Sequence, residues 1–373
     1  MKIERLMIAY YGRRRENLWS GTLDVFDNFL SLKLGVNNIK WIRIFPEISI
    51  LYQKILRLYS IFFYTSDGVC REKQMYKSTV KMALNGLNRD FDNKTDWVLF
   101  VAEHCLNSKF PEDIHYAAYI DTDFPVTAQY DVARSKIGYD YYIKNYDKYT
   151  EESYKKLNLI FTQNEWTRLS IIDRFKLNSN KVINVGFGVN IEPYFEEKNY
   201  ENDLLLIVLR QHNAKTKGLD LLVDAFKLLR RENENVRLAI VGNDYYKGVE
   251  GIDVYIDYPR EKTKELFRSC TLYTMPSRNE PNGITYLEAL CNKAPIVGLN
   301  RFSIPEFTNN GEWGFLCENE DPLELATVIA DALSDKLRLK GMGLKGQEFV
   351  MNNYKWEKVV EFILNSMSQY EKQ

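Results

Sequence analysis

Short apolar runs separated by helix-length patterns recur almost throughout this chain, and that alternation limits its fold more than any other feature. Residues 6–10 are an apolar run. Ser20 offers a helix N-cap, Leu23, Phe26, Leu30 and Leu34 follow at helical spacing, and Gly35 marks the stop. Further strands are expected at 41–45, 97–101, 116–120, 157–161 and 181–185, with a helix at 166–175 among the patterns between them. Strands alternating with helices predict a parallel sheet covered on both faces.

The pattern breaks at residues 189–203, a stretch poor in apolar residues that carries Glu192, Glu196, Glu197, Glu201 and Asp203. We read it as a linker. A second alternation follows, with strands at 204–209, 236–241, 253–256, 271–275 and 296–298 and helices at 217–229, 261–267 and 283–292. Residues 323–333 and 337–352 are helical, and a last amphipathic helix runs from Trp356 to about Gln369. Two doubly wound α/β halves joined by one linker imply a cleft lined by strand C-terminal ends.

Composition excludes several classes. The formal net charge is −1 over 373 residues, far from the basic excess of a duplex-wrapping protein, so no nucleic-acid partner is expected. Aromatic residues make up 14%, ample for large cores. The five cysteines are Cys70, Cys105, Cys270, Cys291 and Cys317, with no C-x-x-C spacing; neither a zinc site nor a disulfide framework is expected, and a reducing cytoplasm fits best. The apolar run at 6–11 is too short for a signal peptide, and no run approaches the length of a spanning helix.

The stretch 275–297 carries the most chemistry. It reads as a strand end, a polar loop with Glu280, Pro281, Asn282 and Gly283, a helix, and Ala294-Pro295 before another strand. The helix start at Gly283-Ile284-Thr285 offers free N–H groups and a positive dipole end, a good phosphate site. Glu280 can reach sugar hydroxyls, and Glu288 can accept both hydroxyls of a ribose. An ordinary βαβ turn with a solvated glutamate would use the same residues.

Pro276-Ser277, Glu280, Gly283 and Leu287-Glu288-Ala289 resemble the Glu-x7-Glu signature of family-four retaining glycosyltransferases, which have the GT-B fold. The resemblance covers most of residues 155–360. It implies two Rossmann-like domains facing a central cleft: an acceptor domain at 1–195, joined by a terminal helix at 355–373 that crosses back to it, and a donor domain at 199–353. It also implies a hexosyltransferase that moves a sugar from a UDP- or GDP-sugar to a sugar, lipid-linked or protein acceptor, without metal or other cofactor. Glu280 would face the donor sugar and Glu288 the ribose. Arg210 and Lys217-Gly218 resemble the family's diphosphate-gripping cations, although the stretch between them is about two residues longer than usual. Val241-Gly242-Asn243 resembles its Val-Gly turn, and Asp257, in Ile256-Asp257-Tyr258-Pro259, would lie beside the nucleobase. Thr162–Thr167, Gly186–Asn190, Ile304-Pro305-Glu306, Gly314-Phe315-Leu316 and Tyr354-Lys355-Trp356 resemble further landmarks.

Departures fall before residue 150. Ser20-Gly21 stands where the family has Gly-Gly, with Gly21 able to let the backbone approach a phosphate. Asp121 stands where it often has a histidine. Arg13, Arg14 and Arg15 would hold an anionic acceptor or the diphosphate, or form a solvated loop. Asp121-Thr122-Asp123 and Asp90-Phe91-Asp92 match the short Asp-x-Asp metal pattern, common by chance; no metal site is assigned. His104 is a further cleft candidate, ahead of His115 and His212, and a satisfied histidine is the alternative. With the three arginines, Leu18-Trp19 and the apolar stretch 50–63 allow a peripheral membrane contact through the first domain; a core helix at 50–63 is the alternative. Competing functions are a non-catalytic nucleotide-sugar binding protein and a phosphorylase or epimerase on the same fold.

Overall fold

Strand β1 (Leu6–Tyr10) lies inside a sheet, as its apolar run requires, between β2 (Ile39–Arg43) and β3 (Trp97–Val101). This is a computed structural model, and it describes residues 3, 5–10, 22–43, 96–101, 114–123, 126, 150–210 and 213–372. The chain divides into two compact units, one holding the described residues up to Phe187 together with those from Trp356 onward, the other Gly188–Lys355.

In the first unit β4 (His115–Ile120), β5 (Leu159–Thr162) and β6 (Val182–Asn184) complete a parallel sheet in the order β2-β1-β3-β4-β5-β6. The pleat sends alternate residues to opposite faces. Met7, Ala9, Val98, Phe100, Ala118 and Ile160 form one buried face with Ile171 and Phe175 of helix α2 (Glu165–Phe175). On the other face Tyr119 meets Phe26 of α1 (Thr22–Leu34), ring centroids 5.6 Å apart.

Two strands start two residues away from their expected positions, for physical reasons. Leu157 closes the helical segment 150–156 through its N–H on the Ser153 carbonyl. Asn158 then exchanges hydrogen bonds with the Tyr116 backbone, so β5 starts only at Leu159. β2 starts at Ile39 because it is in register with β1, Leu6 opposite Ile39.

The second unit repeats the architecture. β7 (Leu204–Val208), β8 (Arg237–Val241), β9 (Ile252–Tyr255), β10 (Leu272–Thr274), β11 (Ile296–Leu299) and β12 (Gly314–Cys317) form a parallel sheet ordered β12-β11-β10-β7-β8-β9. Its helices are α3 (Leu219–Glu232), α4 (Arg260–Ser269), α5 (Ile284–Cys291), α6 (Ile304–Thr308), α7 (Pro322–Ser334) and α8 (Lys336–Asn353). Strand order reverses between β7 and β10. In open α/β sheets the crevice beyond the carboxyl ends of two such strands is where ligands bind.

Residues 188–203 are docked on the second unit, where a free spacer would float. Tyr200 donates its hydroxyl to the Lys293 carbonyl at 2.6 Å, and the buried Lys198 ammonium donates to the carbonyls of Phe267 and Arg268 at 2.8 and 2.7 Å. The last helix, α9 (Trp356–Tyr370), returns to the first unit. There Trp356 meets Phe26 and the Trp97 indole N–H donates to Glu371 at 2.7 Å. No helix among the described residues is long and apolar enough to cross a membrane. Gly21, Arg13, Arg14, Arg15, His104, His212, Leu18-Trp19, Asp90-Phe91-Asp92 and residues 50–63 lie outside the described residues.

Candidate functional site

The switch point of the second sheet brings together two loops that are far apart in sequence. After β7 the chain passes Leu209 and Arg210, and a tight helical turn at 213–217 takes up the length of the loop. Arg210 is exposed, and its backbone N–H donates to Asn213 Oδ1 at 2.9 Å. Lys217 follows, and Gly218 caps α3 in the left-handed region with φ 74°. A Cβ on Gly218 would sit 2.0 Å from the Pro276 carbonyl oxygen, so only glycine lets the two loops touch. Gly242, after β8, is likewise pressed on backbone: a Cβ there would lie 1.9 Å from the Leu209 carbonyl oxygen. Its requirement for glycine is therefore accounted for by the packing of the β8 end against the β7 end.

The second loop follows β10. The Arg278 N–H donates to the Thr216 carbonyl at 2.8 Å, and Ser277 Oγ donates to the same carbonyl at 3.2 Å. The Arg278 guanidinium pairs with Asp220 and Glu320 and donates to the Lys215 carbonyl at 2.6 Å. The loop that opens α5 is thus bolted to the loop that opens α3.

Across this seam Lys217 Nζ pairs with Glu280 Oε2, with both side chains largely buried. The other carboxylate oxygen of Glu280 accepts from the Gly283 N–H at 2.9 Å. Glu280 therefore occupies the first free amide of α5 and the lysine together. Asn282 is buried between them, and Ser303 Oγ holds the Pro281 carbonyl. Ile284 and Thr285 begin the helix half-buried, Thr285 Oγ1 accepting from the Tyr273 hydroxyl at 2.8 Å.

Glu288 lies one turn further along α5. Its side chain is one-tenth exposed, and burial pushes its carboxyl above the usual range, opposed by the neighbouring Arg260. Arg260 Nη2 donates to Glu288 Oε1 at 2.9 Å. Asp257 is exposed in the turn between β9 and α4, at φ 48°.

In the first unit Asp121 follows β4; its backbone carbonyl accepts from Thr167 Oγ1 at 3.3 Å and Asn164 Nδ2 at 3.4 Å. Asp123 is buried and paired with Arg174, which commits that carboxylate to an ion pair. Among the described residues no three His, Cys, Asp or Glu side chains are grouped as metal ligands.

Sequence reading missed Arg278 and Arg260. Arg278 lies inside the polar loop, but its carboxylate partners are 58 and 42 residues away, so nothing local marks it. Arg260 follows Pro259 at a helix start and gives no sign of the glutamate 28 residues later.

Residues 190–349 match the family profile described as glycosyl transferases group 1. A GDP-mannose-dependent alpha-(1-6)-phosphatidylinositol monomannoside mannosyltransferase of Mycolicibacterium smegmatis is 27% identical over 172 residues, 41% of this chain and 45% of that protein. A poly(ribitol-phosphate) alpha-N-acetylglucosaminyltransferase of Staphylococcus aureus is 22% identical over 232 residues, 60% of this chain and 46% of that protein. The chain thus spans about half the length of the curated relatives it matches. Among solved structures, sucrose-phosphate synthase from Thermosynechococcus elongatus superposes with a TM-score of 0.71 at 13% identity, over 99% of this chain and 100% of the other. That likeness and the two parallel-sheet units give a GT-B fold with two Rossmann-like domains. The family profile and both curated relatives are glycosyltransferases by description, and the matched stretch is centred on the second unit.

Proposed function

We propose that this chain is a retaining, metal-independent hexosyltransferase that uses a UDP- or GDP-sugar. The observation that carries the reading is the joined contact of Lys217, Glu280 and the Gly283 amide at the switch point. Glycosyl transfer passes through an oxocarbenium-like carbon and a departing diphosphate, so charge stabilisation and positioning dominate the barrier. The diphosphate takes the place of the Glu280 carboxylate on Lys217 and on the start of α5. Arg210 adds a second cation. Glu280, released, turns to the sugar hydroxyls, and Glu288 accepts the ribose diol.

The sugar–phosphate C–O bond breaks as the acceptor oxygen forms a new bond to the same carbon on the same face. The acceptor proton passes to the leaving phosphate oxygen. Asn282, Ile284 and Thr285 present the α5 backbone to the phosphates, and Gly242 and Asp257 border the nucleoside. The first unit receives the acceptor, with Asp121 as a partner for a sugar hydroxyl. The dependence on GDP-mannose named for the mycobacterial relative supports the donor class.

Differential scanning with UDP, GDP and ADP tests the reading. One of them at 100 times its Kd should stabilise the protein by ~2.7 kcal/mol. Slow donor hydrolysis should persist in EDTA. Stabilisation by none of the three, or activity abolished by chelation and restored by manganese, would overturn it.

A further inference from the structure

Glu288 is a carboxylate in an apolar setting. Its neighbours along α5, Tyr286, Leu287, Ala289, Leu290 and Cys291, are all buried. An ionised carboxylate can accept about four hydrogen bonds, and a buried one that accepts few is costly. Among the described residues its oxygens receive a single hydrogen bond, from Arg260 to Oε1. Oε2 receives none.

Arg260 is the first residue of α4, set by Pro259 at the N-cap. Its side chain is about half exposed while its Nη2 reaches the buried carboxylate. The other charges near Glu288 are few. Lys264 lies one turn along α4 and pairs with Glu261 at 2.7 Å. Tyr273 on β10 and Cys291 on α5 are buried and neutral forms are favoured there. The buried face of α8 (Leu339, Met342, Gly343, Gly346, Gln347 and Val350) and strand β11 bring no titratable group.

We propose that Arg260 is a positioning residue of the nucleoside subsite, holding the Glu288 carboxylate ionised and turned so that Oε2 is left for the diol of a ribonucleoside diphosphate. The proposal rests on the reading of Glu288 as the ribose acceptor. The diol supplies the two donors that the carboxylate lacks, and Arg260 supplies the charge that keeps it an acceptor. A lysine would give a point charge without the planar fork that fixes the carboxylate's orientation.

Two readouts test it. The first needs no ligand: melting temperatures of the wild type, Arg260→Met, Glu288→Gln and the double variant from pH 5.5 to 8.5. Without Arg260 the Glu288 carboxyl titrates higher, so ionising it weighs on the fold more as pH rises. The deficit of Arg260→Met should therefore widen with pH, and this widening should vanish in the Glu288→Gln background. A pH-independent deficit would overturn the proposal.

The second readout is calorimetric affinity for UDP and GDP and for their 2′,3′-dideoxy counterparts. The wild type should prefer the ribo form at every pH. Arg260→Met should lose tenfold or more of that preference at pH 6 and recover part of it at pH 8.5, with dideoxy binding unchanged; Arg260→Lys should fall between. A wild type with no ribo preference overturns the reading of Glu288 and the proposal with it. A wild type that has the preference, beside an Arg260→Met variant that keeps it flat with pH, overturns the role of Arg260 alone.

Discussion

Lys217, Glu280 and the Gly283 amide are one connected contact, and at the residue scale this has a measurable consequence. Removing one partner of a largely buried ion pair leaves the other charge uncompensated, ready for a different anion. Glu280→Gln should therefore depress donor turnover while binding nucleoside diphosphate as tightly as the wild type, or up to about tenfold tighter. A large loss of nucleotide affinity by calorimetry would contradict its role toward the sugar. Glu288→Ala should behave in the opposite way. Loss of charge-assisted hydrogen bonds to the ribose should cost ~1.5–3 kcal/mol of nucleotide affinity, and turnover should fall with it. Both glutamates were legible from their spacing. Their partners were not, because Lys217 and Glu280 are 63 residues apart and Arg260 and Glu288 are 28 apart.

At the scale of elements, residues 189–203, read as a linker, become structural by docking against α4. Lys198, from the docked stretch 188–203, donates to two carbonyls at the α4 C-terminus, where a cation is favoured by the helix dipole. Burial pushes its ammonium down to about 8 from 10.5. Above that pH the folded chain releases a proton that the unfolded chain still holds, so stability rises with pH. Relative to a Lys198→Met variant, the wild type should gain about 2–3 kcal/mol between pH 7.5 and 10, read from denaturant unfolding at each pH. A constant difference would mean that the ammonium is not held in this way. Apolar runs made most elements legible: residues 97–101 and 6–10 were read with the observed bounds because every one of those positions is buried or nearly so. β12 was not read as a strand. It is four residues long and begins with glycine, and it becomes a strand through pairing with β11, Gly314 opposite Ile296.

For the whole molecule, the last helix matters most. α9 buries Trp356, Val359, Val360, Ile363 and Met367, and it does so in the first unit, whose other described residues end at Phe187. Each such side chain contributes ~1.5–3 kcal/mol, and five together rival the entire stability of a typical domain at ~5–15 kcal/mol. A chain ending at Lys355 should lose the cooperative unfolding of its first unit and become sensitive to limited proteolysis there. Trp356→Ala alone should destabilise by ~3–5 kcal/mol. An unchanged melting curve for the truncated chain would show that α9 is dispensable to that unit.

The kinds of element and most of their succession follow from the sequence alone, because apolar period, N-caps such as Asn164 and stops such as Gly35 act over a few residues. So does the placing of two glutamates, with seven residues between them, around a helix start. Tertiary structure decided which strands neighbour which: β7 lies beside β10, 64 residues further on, since parallel strands need crossovers and their pairing is a choice among whole-chain arrangements. It decided that stretch 188–203 lies docked, through Tyr200 and Lys198. It decided that Glu280 meets Lys217 while Glu288 meets Arg260. Charges settle on the partners that burial brings near, and burial is a property of the packed molecule, with no local signature in the chain.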